Sequence, residues 1–181
     1  MGEAKRKLKL NIAELIDAFE MGSIDHQNYL DLETGEIIFG TSEDNDWELD
    51  RIQEELSGEE PLTYERLVKY IEQREMQDWL KSEVLQAVEI EHGFGTRFLA
   101  IPWVESRDGY RDMKLFIETV EDDHVQQLLS VVIDGRGAFR RFKDVLLDYP
   151  DERERWFAFK KDRAHQRVIE WLDAEGIHII E

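Results

Sequence analysis

The residues best placed to do chemistry lie in one short run, VVIDGRGAFRRFKDVLL, residues 131–147. From Gly135 to Lys143 it holds Arg136, Arg140, Arg141 and Lys143 and no acid, in a chain of 181 residues with a formal net charge of −19. Arginine suits the capture of phosphate or carboxylate, because its planar guanidinium offers a fork of donors that matches two anionic oxygens. Gly135 stands where a helix would end on a left-handed residue, and Gly137 where the next helix would open. A helix N-terminus leaves amide donors unpaired and carries a partial positive charge. With Arg136 beside it and Arg140 and Lys143 just beyond, the bend is a candidate anion site. At about 100° per residue these three side chains fall within an arc of about 60°. The competing reading is a tight helix–helix corner whose arginines pair with the chain's own acids, Asp134, Asp144 and Asp148 being close in sequence.

The last long amphipathic segment repeats the arrangement. Lys160, Arg163 and Arg167 recur at i, i+3 and i+7, with Trp156 on the same side. Basic and aromatic residues together can neutralise and stack a nucleotide or single strand. The alternative is that long basic side chains cover the edge of a core. The candidate binding residues are therefore Arg136, Gly137, Arg140, Lys143, Trp156, Lys160 and Arg163. No catalytic or metal-binding residue is nominated, and no cofactor is expected. His26, His92, His124, His165 and His178 show no metal-ligand spacing, and no nucleophile elbow, phosphate loop or dinucleotide fingerprint is present. Asp31, Glu33 and Glu36 surround a predicted turn and could hold a divalent cation, with plain turn solvation as the default.

The elements that must position these residues are legible in outline. Asn11 begins a helix over 11–21 with Ile12, Leu15, Ile16 and Phe19 on one face. Two apolar runs around Glu33-Thr34-Gly35 predict a hairpin. Residues 41–60 read as an acidic, loop-rich segment with a short helix near 47–56. Helical patterns follow from Thr63 and through Met76–Val88, then a strand that stops at Pro102. Four further helices fill the second half. Pro150 opens the longest, which runs to about Ala174, Gly176 ends it, and IHIIE is a last strand. The expectation is one α+β domain over 1–181, with a small, mostly antiparallel sheet and a helical C-terminal half.

Composition narrows the setting. There is no cysteine, which excludes disulfides and thiolate chemistry and suits a reducing compartment. The first twenty residues lack the apolar stretch of a signal peptide, and no run approaches a membrane span, so a cytoplasmic location is expected. Residues 11–60 hold sixteen acids against the single Arg51. Such a field discourages duplex DNA, whose affinity rests on phosphate neutralisation, and favours solubility or a basic partner.

YLDLETGEII, AIP, YRDMKLFI, and above all GRGAFRRFKDVL followed by WFAFK and EWL…GI, resemble an uncharacterised bacterial protein family of the UPF series. The resemblance spans about residues 29–177 and is weakest over 41–75. It implies a small bacterial cytoplasmic protein and brings no reaction, cofactor or catalytic residue with it.

Three functions stay open. The first is a non-catalytic binding or interaction protein whose helix–helix corner receives an anionic ligand or a protein carboxylate. The second is an enzyme acting on a phosphorylated or nucleotide substrate. The third is an acidic surface that docks a basic protein partner. No membrane association is expected, and the oligomeric state is left open.

Overall fold

A computed structural model describes residues 6–40, 43–58 and 61–180, with the side chains of residues 43–46 outside that description. The elements in chain order are β1 (Arg6–Lys9), α1 (Ile12–Met21), β2 (Asn28–Asp31), β3 (Ile37–Ile38), α2 (Glu43–Leu56), α3 (Tyr64–Gln73), α4 (Asp78–Gly93), β4 (Phe98–Ile101), α5 (Ser106–Ile117), α6 (Asp123–Val132), α7 (Ala138–Leu147), α8 (Pro150–Ala174) and β5 (Ile177–Ile180). The α+β class holds. The strands form two sheets, one three-stranded and antiparallel in the order β3-β2-β4, the other the parallel pair β1-β5. Helices are not confined to the C-terminal half, since α1–α4 precede β4.

Local chemistry sets most boundaries. Asn11 Oδ1 accepts from the amides of Ala13 and Glu14 and starts α1. Thr63 Oγ1 does the same for Arg66 at the head of α3, and Asp122 Oδ1 accepts from His124 and Val125 at the head of α6. Pro150 opens α8. Two elements depart from expectation. β1 is a strand where no element was expected ahead of α1. The acidic stretch is helical from Glu43 to Leu56, because Leu49, Ile52 and Leu56 recur at helical spacing and pack on Leu67, Ile71, Val84 and Val88.

The chain folds as two compact units, Arg6–Trp103 with the last residues of β5, and Val104–His178. In the first, α2, α3 and α4 share the core just named. β2 lies between β3 and β4, with Tyr29 opposite Ile38 and Ala100, and Leu30 opposite Ile37 and Leu99. In the second unit, Met113, Phe116 and Ile117 of α5, Val125 and Leu129 of α6, Phe142 and Leu146 of α7 and Trp156 of α8 make one core. Phe116, Phe142 and Trp156 meet edge to face, with centroids 4.9–6.2 Å apart.

Acids are buried among these apolar side chains, and arginines hold them. Asp112 of α5, its side chain 3% exposed, accepts from Arg163 Nε at 3.0 Å and from Arg167 Nη2. Asp31 accepts from the amides of Glu33 and Thr34 and from Arg97 Nε and Nη2 at 3.0 and 2.7 Å. Burial alone would raise the Asp31 pKa, but the Arg97 and backbone donors overturn this and hold it below the ordinary aspartate value. Glu48 is buried 3.6 Å from Arg74.

Asp112→Asn leaves Arg163 and Arg167 without a countercharge, so it is expected to cost roughly 3 kcal/mol in denaturant unfolding. Glu55 gives a pH test. Hydrogen bonds from Arg74 and then Tyr70 lower its pKa from 4.5 to about 2. A depressed carboxylate stabilises above its unfolded value and loses that contribution as pH falls through the folded one. Glu55→Gln is thus expected to be less stable than the parent at neutral pH, with the gap closing between pH 4.5 and about 2. Parallel urea titrations down that range measure it.

Candidate functional site

The bend between α6 and α7 is built by two left-handed glycines and one arginine. Gly135 and Gly137 have φ of 77° and 80°, a region that costs any residue with a Cβ. With the chain turned at both, the carbonyls of Val132, Asp134 and Arg136 converge on Arg141. Its Nε donates to Val132 at 2.9 Å, its Nη2 to Asp134 at 2.6 Å and its Nη1 to Arg136. Arg141 therefore satisfies the carbonyls that a helix end leaves unpaired. One of the four cations in the run is consumed by the corner itself, through main-chain carbonyls rather than through a carboxylate.

The other three are differently placed. Arg136 lies between the two glycines, ahead of α7, and is exposed, so only Arg140 and Lys143 share a helix face. The Arg140 side chain is 89% exposed and pairs with Asp144 at 3.8 Å. Arg136 and Lys143 have no ion pair among the described residues. Gly137 caps α7 without a side-chain hydrogen bond, and the first turn carries no acid. The N-terminal amides of α7 thus add to the positive potential of these side chains.

Trp156 belongs to the core rather than to a stacking surface, and Lys160 is exposed on α8. Arg163 is engaged by Asp112 and by Gln166 Oε1 at 2.9 Å. Lys143 and Trp156 come together with Leu146, Leu147, Arg153 and Phe157 around a slot of about 230 Å³ between α7 and α8. Trp156 and Leu146 are buried, whereas Leu147 and Phe157 are 60% and 55% exposed. Arg153 stands over the Phe157 ring at 5.6 Å. Sequence reasoning did not reach Arg153, Leu147 or the role of Arg141. The signal for Arg141 was its spacing, since it faces away from the arc shared by Arg140 and Lys143.

The hairpin carboxylates do not form a cation site. Arg97 sits among them, 2.7 Å from Asp31 and 3.5 Å from Glu33, and reaches Glu89 at 2.6 Å. No group of three His, Asp or Glu suited to a metal occurs among the described residues. Larger clefts lie in the first unit. One of about 740 Å³ runs along Lys9–Asn11 and Thr34–Phe39, and one of about 480 Å³ lies by Tyr29, Ile90 and Phe94. The first mixes Lys9 with Glu14 and Glu36, and the second carries Asp25 and Glu91 with no cation, so neither offers a cluster of positive charge as the α6–α7 bend does. Among the described residues no helix is long and apolar enough to cross a membrane.

The chain belongs to the family described as "Uncharacterised protein family (UPF0158)", which it matches over residues 5–93 and 86–181. The resemblance read from GRGAFRRFKD and its companions is to this family, and the description carries no function. The chain is similar to a UPF0158 protein of Pseudomonas aeruginosa, 24% identical over 172 residues that cover 95% of this chain and 86% of that one. It is also similar to UPF0158 proteins of Chlamydia pneumoniae and Chlamydia trachomatis, each 24% identical, over 96% and 91% of this chain. It spans only 43% and 40% of the length of those two relatives. No solved structure matches it.

The division of labour among the arginines has a direct consequence. Arg141→Ala removes donors from three carbonyls and is expected to destabilise by roughly 2 kcal/mol. Arg140→Ala, at an exposed position, is expected to stay within about 0.5 kcal/mol of the parent. Chemical denaturation of the two variants side by side checks the assignment.

Proposed function

We propose that this protein is a non-catalytic binding protein that receives an anionic group at the bend opening α7. One observation carries the reading. In a chain of net charge −19, Arg136, Arg140 and Lys143 are exposed beside an uncapped helix N-terminus, and among the described residues their only ion pair is the 3.8 Å contact of Arg140 with Asp144. Such a pair between exposed side chains is worth little and yields readily to a better-placed anion. The arginines that the fold needs are elsewhere, on Asp31, Glu48, Asp112 and the α6 carbonyls. The group received could be a protein carboxylate or a phosphate. Duplex DNA is not the expected partner, because Asp134, Asp144 and Asp148 flank the cations and would oppose a continuous row of phosphates.

A thermal-shift panel of inorganic pyrophosphate, ATP and polyglutamate tests the reading. A ligand near one hundred times its Kd stabilises by about 2.7 kcal/mol, which for a chain of this size raises Tm by roughly 5–10 °C. At least one anion is expected to do this for the parent and to lose the effect in Arg140→Ala/Lys143→Ala, whose own Tm is unchanged. No response to any of the three, or an equal response in the double variant, overturns it.

A further inference from the structure

The slot beside the cations narrows what the anion belongs to. Its floor is apolar, formed by buried Leu146 and Trp156, and its rim carries Leu147 and Phe157 with most of their side chains in solvent. Lys143 stands in its lining from α7 and Arg153 from α8. Exposed apolar side chains around a concave floor, lined by like charges, describe a surface that covers an apolar group and neutralises its acidic neighbours. The volume of about 230 Å³ lies below the range of about 300–1,000 Å³ of small-molecule sites, and suits one large side chain.

Building on the anion-binding reading, we propose that the occupant is an acidic segment of another protein that inserts one bulky apolar side chain between α7 and α8. Its flanking carboxylates meet Lys143 and Arg153, and the acids beyond them meet Arg140 and Arg136. Charge complementarity selects this partner over two others. A bilayer of anionic lipid favours a protruding apolar face, whereas this one is concave. A nucleic acid offers phosphates at regular spacing and no side chain to enter an apolar slot.

The test uses the full chain and a short fluorescein-labelled polyglutamate peptide with one central tryptophan, read by fluorescence anisotropy. The same peptide with alanine at the centre is the control. The tryptophan peptide is expected to bind about tenfold or more tightly than the alanine peptide, the effect of burying one large side chain. Leu147→Ser and Phe157→Ala, both at exposed positions, are expected to erase that preference and leave the alanine peptide unaffected. Lys143→Glu is expected to weaken both peptides about tenfold. Equal affinity of the two peptides for the parent overturns the slot while leaving the anion site intact. Preservation of the tryptophan preference in both apolar variants overturns it as well. Failure of every anion and both peptides ends the two proposals together. Binding to phosphatidylserine vesicles in preference to the tryptophan peptide would replace the protein partner with a membrane.

Discussion

Every acid taken out of water in this protein requires a cation, and that requirement decides where its arginines go. Asp31, Glu48 and Asp112 are buried. An ionised carboxylate loses several kcal/mol of hydration on burial unless it is paired and hydrogen-bonded. Arg97, Arg74 and the pair Arg163 and Arg167 meet that need from positions distant in sequence from the acids, and Arg51 adds a 3.4 Å contact to Glu48 from the same helix. Arg163 and Arg167 bring two turns of α8 against α5, so the buried ion triad also fixes the rotation of α8 against its own unit. The chain's 23 Lys and Arg are outnumbered by 42 acids, so three exposed cations within residues 136–143 stand out against the background.

The bend between α6 and α7 shows how finely the assignment runs. Arg140 and Arg141 are adjacent and of one residue type, yet consecutive helical positions point about 100° apart. One falls over the carbonyls of Val132, Asp134 and Arg136 and donates to all three. The other falls on the solvent side. The two left-handed glycines are the geometric condition for both outcomes, since they turn the carbonyls inward and start α7 in this register.

Much of the fold was legible because its punctuation is local. Asn11, Thr63, Asp122, Pro150 and Gly176 begin or end elements through contacts within a few residues, and apolar spacing gives the faces between them. α2 was read as mostly loop because its acids mask a sparse apolar stripe, and only the packing of Ile52 on Ile71 and Val88 decides the matter. β1 was hidden because RKLK has the composition of a tail and is a strand only by virtue of β5, more than 160 residues away. The site was legible in type and only partly in membership. That the run at 135–143 concentrates positive charge is a property of sequence. That Arg163 is spoken for depends on Asp112, 51 residues earlier, and no short-range pattern carries that pairing.

The same logic bears on selectivity. At physiological salt, fields between exposed charges fade over about 8 Å, so the net charge of −19 reaches the bend only weakly and recognition is set by its immediate neighbours. Those neighbours are mixed. Asp134 precedes the cations of 136–143, and Asp144, Asp148 and Asp151 follow them before Arg153. An anionic chain long enough to run past both ends of the cationic block would meet repulsion from those acids. An anion that places its charges discretely, and adds an apolar side chain where the carboxylates leave a gap, avoids the repulsion and gains the burial. Under the proposed reading, a cationic run bounded by acids and set beside an apolar slot favours a short acidic segment with one apolar side chain over an extended polyanion.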